Sequence, residues 1–258
     1  MTAPSMRATI ERRLLVNYRI DPEVLAAVLP GPFRPALVGG CGVGGICLIR
    51  LGHIRPTGFP AGVGLTTENA AHRVAVEWDT PTGPSTGVYI PRRDTSSRLV
   101  ALLGGRTFPG GHHLAHFRAE EGDGNYRVRI NSGDGEVAVG VHARPAGDVT
   151  AGSVFSDVDH ASQFFRSAPV GYAATPNAEI LDGVELSACG WSMRPVELIE
   201  VQSSFFDDRR RFPGETAVLD SGFLMEGLDS SWSAMPPLNV AAAALDTGPG
   251  EAVLPCPR

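Results

Sequence analysis

Three of the seven histidines of this chain stand together in RTFPGGHHLAHF, the segment from Arg106 to Phe117. On a helix, His112 and His116 would share a face and could bind zinc. On a strand they would also share a face, with His113 on the other one. The preceding glycines and the hairpin pattern that follows favour a strand, and no third ligand stands at a metal-binding spacing. We therefore predict acid–base chemistry at His112 and no metal, with a metal-dependent enzyme as the weaker alternative.

The basic residues restrict the chemistry further. The chain has 22 of them, and all are arginines. Together with abundant Ala, Gly and Pro, this composition is typical of a GC-rich bacterial genome. Whatever its origin, it leaves no lysine side chain for any mechanism.

A carboxylate and an imidazole occur together in TTENAAHRVAVEW. Alternation along a strand places Glu68, Ala70 and His72 on one face, and the same face continues with the apolar residue Val74. Burying such polar groups is unfavourable unless they are paired or functional. Two interpretations of Glu68 stay open, a functional carboxylate and a structural ion pair with a nearby arginine.

Two further segments contain candidate binding residues. In GVYIPRRDTSS, Tyr89, Arg92 and Arg93 stand at a strand end, where guanidinium groups bind carboxylates well. The alternative is that an arginine pairs with Asp94 and fixes the corner of the chain. In QSSFFDD, the side chain of Phe205 or Phe206 is a candidate for lining a pocket, with packing in the core as the alternative.

Motifs for nucleotide cofactors and for a serine nucleophile are absent from the sequence. GGCGVGG has glycines spaced as in a dinucleotide site, but a β-rich run follows where a helix would be required. We interpret it as a glycine loop that leads into a strand. There is no G-x-S-x-G elbow and no phosphate-binding P-loop, so we predict no cofactor.

The composition indicates a globular protein. Hydrophobic residues make up 43% of the chain and charged residues 19%, and the net charge is −6. The acidic balance speaks against a nucleic-acid partner, and no apolar run is long enough to span a membrane. The first residues contain no secretion signal, which predicts a cytoplasmic protein with reduced thiols. Cys47 and Cys189 stand inside apolar runs, which predicts buried free thiols at both positions. The expected partner is a small organic substrate or ligand, and a homo-oligomer is left open.

The local patterns predict strands with a few short helices. One helix begins after the cap Asp21, a second spans Thr95–Leu103, and a third in SDVDHASQFF is capped by Ser156. Gly/Asp turns after His112 indicate a meander of hairpins. We expect one β-rich α+β domain over residues 1–258, with a core of about 10–232 and an extended tail. The other expected strands are Ile10–Ile20, Val43–Leu51, Gly64–Trp78, Val184–Trp191, Pro195–Phe206 and Thr216–Gly227.

Several segments together resemble a known superfamily. RRLLVNYRIDPEVLAAVLP, ENAAHRVAVEW, GVYIPRRDTSS, GGRTFPGG and SSFFDD are similar to the domain-of-unknown-function branch of the acetoacetate decarboxylase-like superfamily. The resemblance covers roughly Arg12 to Trp232. It implies a β-cone or double barrel around an apolar cavity of ligand size.

The resemblance also indicates which family residues are missing. The decarboxylases form a Schiff base with a lysine in a Tyr-Pro-Lys-Lys stretch, and their lysine is activated by a cationic neighbour. The similar stretch here places Gly110 and Gly111 at the two lysine positions. Glu68 is similar to a cavity glutamate of the family, and Arg12 or Arg13 lies near its carboxylate-binding arginine. The second cavity glutamate has no counterpart near Cys47.

These observations lead to two functional hypotheses. The first is an enzyme using non-covalent acid–base chemistry of lyase, dehydratase, isomerase or cyclase type, in specialised metabolism. In it His112 is the acid or base, and Glu68 is the complementary carboxylate. Arg106, with Arg92 or Arg93, holds an oxyanion, while Gly110 and Gly111 leave room for the substrate and offer backbone N–H groups. The predicted substrate-binding residues are Tyr89, Arg92, Arg93, Gly110, Gly111, His113 and Phe205. The second hypothesis is a protein that binds a small ligand without chemistry.

Overall fold

The computed structural model describes residues 5–60, 64–104 and 110–240, and strands dominate these ranges. The helices are α1 (Pro22–Ala27), α2 (Arg98–Leu103) and α3 (Val158–Arg166). The strands are β1 (Ser5–Ile20), β2 (Arg34–Pro35), β3 (Leu37–Val38), β4 (Cys41–Pro56), β5 (Leu65–Thr80), β6 (Gly83–Thr95), β7 (His113–Gly122), β8 (Asn125–Ser132), β9 (Ala138–Pro145), β10 (Val170–Ala174), β11 (Ile180–Cys189), β12 (Arg194–Ser203) and β13 (Ala217–Asn239).

All these strands belong to one sheet that closes on itself twice. A smaller circuit runs β11-β10-β6-β5-β4-β1-β13 and returns to β11. A larger circuit leaves β6 through β7, β8, β9 and β12 and rejoins β13. The two circuits share a wall made of β13, β1, β4, β5 and β6. The predicted β-rich double barrel is therefore confirmed, while a single domain over the whole chain stays a prediction.

The shared wall separates two apolar cores. Because successive side chains of a strand point to opposite faces, each wall strand contributes to both cores. On β1, for example, Leu14 and Val16 pack into the core of the larger circuit and Leu15 into that of the smaller one. Such strands are apolar on both faces where the wall separates the cores, which explains the uninterrupted apolar residues 14–16 of β1 and 46–49 of β4.

Most helix and hairpin predictions are confirmed. The Asp21 carboxylate accepts hydrogen bonds from the backbone of the first turn of α1, and the meander β7-β8-β9 has the expected turns. The cap of α3, however, is Asp157 and not Ser156. The Asp157 carboxylate accepts from the His160 N–H at 2.8 Å, while the Ser156 hydroxyl donates to that carboxylate.

Three differences from the sequence expectations have clear physical reasons. The extended tail expected after Trp232 does not begin there, because β13 continues to Asn239 and pairs with β11. Its two prolines, which lack an N–H, lie at the register shift between Met235 and Leu238. Strand β10 was not predicted, since it has only five residues. The glycines of GGCGVGG lie largely inside β4, not in a loop before it.

The cysteines differ among themselves. Cys41 is disulfide-bonded, so the expectation of reduced thiols is wrong at this position. Cys47 is a buried free thiol as expected, but Cys189 is an exposed one. No helix in the described ranges is long and apolar enough to cross a membrane.

Candidate functional site

The smaller circuit encloses a cavity of about 390 Å³. Aliphatic side chains of the ring strands form most of its wall, and Phe164 and Phe165 of α3 close one side. Sites for small molecules have this character, a mostly apolar cavity of a few hundred Å³ with a few placed polar groups. The cavity is therefore the candidate site.

The charged groups of the described lining are mainly cationic. Arg13, Arg73 and Arg93 reach the cavity from β1, β5 and β6, and Arg166 lies exposed at the end of α3. Asp94 is the one carboxylate in the described lining, and it accepts a hydrogen bond from the Arg92 guanidinium at 2.9 Å. An excess of positive charge in an apolar cavity favours an anionic ligand.

Arg73 is the most deeply placed of these cations. Its side chain is 4% exposed, and its Nη2 donates to Asn17 Oδ1 at 2.5 Å. The guanidinium carbon lies 4.8 Å from the ring centre of Phe165, and Nε has no hydrogen-bond partner in the described residues. Burial lowers the pKa of Arg73 to about 10, so the group stays charged at neutral pH. A buried cation without a carboxylate beside it suits a site that receives an anion.

Register places Arg13 and Arg93 around Cys47. Cys47 on β4 pairs with Ala71 on β5, which pairs with Arg93 on β6, so the three form a row across the wall. Arg13 on β1 pairs with Ile49, one step along the same face of β4. The Arg13 Nε donates to the Cys47 Sγ at 3.4 Å. Neither Arg13 nor Arg73 has a carboxylate of the described residues within 4.0 Å.

Arg93 has an acidic neighbour on β11, two strands away from β6 in the smaller circuit. Burial lowers the pKa of Arg93 to about 10, and the charge of Asp182 on β11 opposes this effect. Asp182 also accepts a hydrogen bond from the Gly110 N–H at 2.8 Å. Asp182 therefore links Arg93 to the segment that carries His112.

His112 lines the cavity, as its predicted role requires. Its Nδ1 lies 3.1 Å from the carbonyl oxygen of Gly110. A carbonyl oxygen can only accept, so Nδ1 carries the proton and Nε2 has the lone pair. Burial, and next the charge of Arg93, lower the pKa of His112 to about 3. The imidazole is therefore neutral at pH 7 and can take up a proton at Nε2.

The expected strand geometry of the histidines is wrong in one respect. Strand β7 begins at His113, so His112 precedes it and does not share a strand face with His116. His116 is exposed and lies outside the cavity lining. No group of metal-binding residues occurs in the described ranges. His112 and His116, which the alternative of a metal-dependent enzyme would need as ligands, are therefore not brought together.

Gly110 and Gly111 do not leave room for a substrate in the expected way. A Cβ on Gly110 would lie 2.4 Å from the Ala173 Cβ, and the residue has a φ of +80° that favours glycine. The Gly110 N–H is already bonded to Asp182, and the Gly111 N–H points to the Ala174 carbonyl at 3.5 Å. The missing side chain of Gly110 allows strand β10 to approach, and neither glycine lines the cavity.

Glu68 forms ion pairs instead of lining the cavity. It lies 2.5 Å from Arg12 and 2.6 Å from Arg50, and Arg12 also contacts Glu121 at 2.5 Å. The predicted row of Glu68, Ala70 and His72 faces the larger circuit. The opposite face of β5, which includes Asn69 and Arg73, meets the cavity. The geometry thus matches the ion-pair interpretation of Glu68.

The remaining predicted binding residues also lie outside the lining. The ring centre of Tyr89 is 5.9 Å from that of Phe33 in the larger core. Arg92 and His113 both contact Asp134, at 2.8 and 3.1 Å. The ring of Phe205 packs 4.6 Å from His72. Of the predicted site residues within the described ranges, only Arg93 and His112 line the cavity, and Arg106 falls outside those ranges.

The residues that sequence reasoning missed share one signal. Asn69, Ala71 and Arg73 occupy alternate positions of β5, on the face opposite Glu68. Arg73 stands in the segment singled out from the sequence, but it was not assigned a role. Choosing the correct face required knowing which circuit contains the cavity.

His72 forms a second, separate feature in the larger circuit. It is fully buried, and neither ring nitrogen has a hydrogen-bond partner in the described residues. Burial, together with the charges of Arg92 and Arg211, lowers the pKa of His72 to about 3. The residue is therefore a neutral core side chain packed against Phe205 and Phe206.

This burial predicts a pH effect on stability. Between pH 6.5 and about 3 the unfolded chain binds a proton at His72 that the folded chain does not, so stability falls as the pH falls. We expect His72→Leu to reduce the slope of unfolding free energy against pH in this window by about 1.4 kcal/mol per pH unit. Urea unfolding at several pH values measures this slope. His116→Leu, at an exposed position, is the control, and equal slopes for His72→Leu and wild type would contradict the prediction.

The cavity and the double circuit define a class of protein, the acetoacetate decarboxylase-like fold. The chain is similar to acetoacetate decarboxylase from Legionella pneumophila, with a TM-score of 0.56, 16% identity and coverage of 91% of this chain and 88% of that one. For an acetoacetate decarboxylase-like enzyme from Sphingomonas wittichii, the TM-score is 0.57 and the identity is 14%, and the match covers 93% of each chain. For the enduracididine biosynthesis enzyme MppR, complexed with pyruvate, the TM-score is 0.55 and the identity is 9%, and the match covers 93% of this chain and 91% of that one. At these identities the likeness shows the fold alone.

A comparison with family sequence models also identifies the family of this chain within that fold. The sequence model of the DUF2071 family, which is described as an uncharacterized conserved protein, matches residues 7–214 of this chain. The chain belongs to the DUF2071 family. No curated protein matches it significantly.

Proposed function

We propose that this protein is an enzyme that performs non-covalent acid–base chemistry on a small carbonyl-bearing carboxylate in the arginine-lined cavity. One observation supports the proposal most strongly. Arg13 and Arg73 line an apolar cavity of about 390 Å³, and no carboxylate of the described residues lies within 4.0 Å of either. A substrate carboxylate would provide the missing negative charge and accept hydrogen bonds from both nitrogens of a guanidinium group.

In the proposed reaction, His112 removes a proton from the carbon next to the substrate carbonyl. The proton goes to Nε2, and the electron pair of the C–H bond forms an enolate whose oxygen is negative. The guanidinium groups stabilise this charge where it develops. The negative substrate also stabilises the imidazolium, which raises the basicity of His112 when the cavity is occupied.

The chain has no lysine side chain, so the proposal involves no imine with a lysine. The proton transfer is compatible with those lyase, dehydratase, isomerase and cyclase reactions that pass through an enolate-like intermediate. It does not require Glu68, which is held by Arg12 and Arg50. Arg93, Arg13 and Arg73 take the anion-binding role that the sequence interpretation gave to Arg106 with Arg92 or Arg93.

A second candidate function is binding without chemistry. The lowered pKa of His112, about 3, favours this alternative because such an imidazole is a weak base in the empty cavity. The two candidates require the same anion-binding cavity. They differ in whether a bound molecule exchanges protons.

The experiment follows deuterium uptake from D2O into pyruvate and acetoacetate by NMR. Pyruvate is a suitable first probe, since it is bound in the MppR complex. We expect the wild-type protein to accelerate exchange of the carbon-bound protons, and His112→Ala to lower the exchange rate by about 100-fold or more.

The control variant is His116→Ala, an exposed histidine of the same segment, which we expect to exchange protons at the wild-type rate. Binding of the probes without accelerated exchange would support the ligand-binding alternative. Absence of both binding and exchange would contradict both functions for this ligand class. A cytoplasmic location and a homo-oligomer stay predictions.

A further inference from the structure

Cys47 has an unusual position for a buried thiol. It is a free cysteine in the middle of β4, 7% exposed, and it lines the cavity. Most buried free cysteines pack as small apolar groups against other apolar groups. Cys47 instead lies on the cavity face of the shared wall.

The neighbours of this thiol are cationic. The Arg13 Nε donates to Sγ at 3.4 Å, and Arg93 lies two strands away in the same cross-strand row. Strands are spaced about 4.8 Å apart, so that row places the backbones of Cys47 and Arg93 roughly 10 Å from each other.

A second observation indicates a ligand at this place. Arg73, nine-tenths buried in the same lining, has an Nε without a hydrogen-bond partner in the described residues. An unpaired buried donor is unfavourable unless something outside the chain accepts from it. Cys47 and Arg73 both line the cavity, so the thiol and this cation border the same space.

We propose that Cys47 is a nucleophilic site that forms covalent adducts with small electrophilic carboxylates. This inference rests on the anion-binding cavity of the proposed function and adds a covalent step to it. The arginines attract the carboxylate and raise its local concentration beside the sulfur. The chain has no lysine, and the thiol of Cys47 is intrinsically more nucleophilic than the hydroxyl groups of the described lining.

The step balances without a further reactant. The sulfur of Cys47 bonds to the electrophilic carbon of a C=O or C=C group conjugated with the carboxylate. The π electron pair moves to the far atom of that double bond, and the thiol proton ends on the same atom. The addition is reversible, since the reverse transfer of the proton restores the thiol and the double bond.

The test uses two alkylating probes of similar size, iodoacetate and iodoacetamide, of which only the first is an anion. In each reaction a C–S bond forms, iodide leaves and the thiol proton goes to solvent. The protein carries Cys189→Ser, which removes the exposed thiol, and peptide mass spectrometry measures the rate of modification at Cys47. We expect the ratio of the iodoacetate to the iodoacetamide rate to exceed that of N-acetylcysteine by about tenfold or more.

The matched variants are Arg13→Met and Arg118→Met. Arg118 is exposed and pairs with Glu120 on the outer surface, so its replacement removes the same charge away from the cavity. We expect Arg13→Met to lose most of the preference for iodoacetate and Arg118→Met to keep it. If Arg13→Met does not fold, the wild-type ratio decides alone.

Two results would overturn the inference. One is a rate ratio at Cys47 equal to that of N-acetylcysteine, and the other is no modification of Cys47 by either probe. If pyruvate still binds to the protein in these cases, the proposed function stands without the covalent site. If pyruvate binding is absent as well, the anion-binding cavity itself is refuted.

Discussion

Arg73→Met is expected to weaken pyruvate binding by about 2–5 kcal/mol, or from about 30-fold to a few thousand-fold. The reason is the position of the guanidinium, which is buried, lines the cavity and has no carboxylate of the described residues within 4.0 Å. In an apolar cavity a bound carboxylate depends on this charge, because a low-dielectric surrounding strengthens the attraction between opposite charges.

The effect of this substitution on stability should be much smaller. Removing a buried cation removes its desolvation penalty, which is visible in the lowered pKa of Arg73. The substitution also leaves the Asn17 Oδ1 atom without its donor, which costs about 1–3 kcal/mol. The two consequences oppose each other, so the free energy of unfolding should change by no more than that amount.

Calorimetric titration with pyruvate and urea unfolding measure the two quantities on the same samples. Arg118→Met again removes an exposed arginine of an ion pair and should change neither. Wild-type affinity in Arg73→Met would show that this guanidinium does not contact the carboxylate. A combined loss of affinity and fold would be resolved by Arg13→Met, whose one described hydrogen bond goes to a thiol.

The second large effect concerns the other face of the wall. Arg12→Met should lower the free energy of unfolding by about 2–3 kcal/mol, less than the loss of a fully buried pair because both carboxylates are partly exposed. Arg12 is 1% exposed and lies 2.5 Å from both Glu68 and Glu121. Its loss leaves those two carboxylates close together with Arg50 as their shared cation.

Because this cluster does not line the cavity, pyruvate affinity should stay within about twofold of wild type when the protein is folded. Urea unfolding and calorimetric titration check the two statements. Glu68→Gln serves as a companion variant, since it keeps the shape and removes one charge of the cluster. A loss of proton exchange in Glu68→Gln at full stability would restore the catalytic interpretation of Glu68.

The comparison of Arg12 with Arg13 shows where sequence reasoning reached its limit. Both stand in the segment that resembles the decarboxylase family, and the resemblance alone could not choose between them. Neighbouring residues of a strand point to opposite faces, so one step in register moves a side chain from one circuit to the other. Arg13 lies in the cavity and Arg12 in the ion-pair cluster.

His112 and Cys47 illustrate two different outcomes. His112 was predicted from its type and its place beside Gly110, and the structure places it in the cavity. Its tautomer and its lowered pKa depend on the Gly110 carbonyl, on burial and on Arg93, which no local pattern reveals. Cys47 was interpreted as a buried thiol, which is correct, but its arginine neighbours come from other strands.

The sequence by itself determined the β-rich class, the hairpin meander and the helix cap at Asp21. It also excluded a mechanism through an imine with a lysine side chain, since the chain has no lysine. These follow from residue types, from turn chemistry and from alternation, which act over a few residues. Only the tertiary structure decided which face of β5 meets the cavity, since both faces of the shared wall are buried and apolar patterning cannot distinguish them. The grouping of Arg13, Arg73, Arg93 and Cys47 likewise results from the register of four strands, which long-range pairing sets.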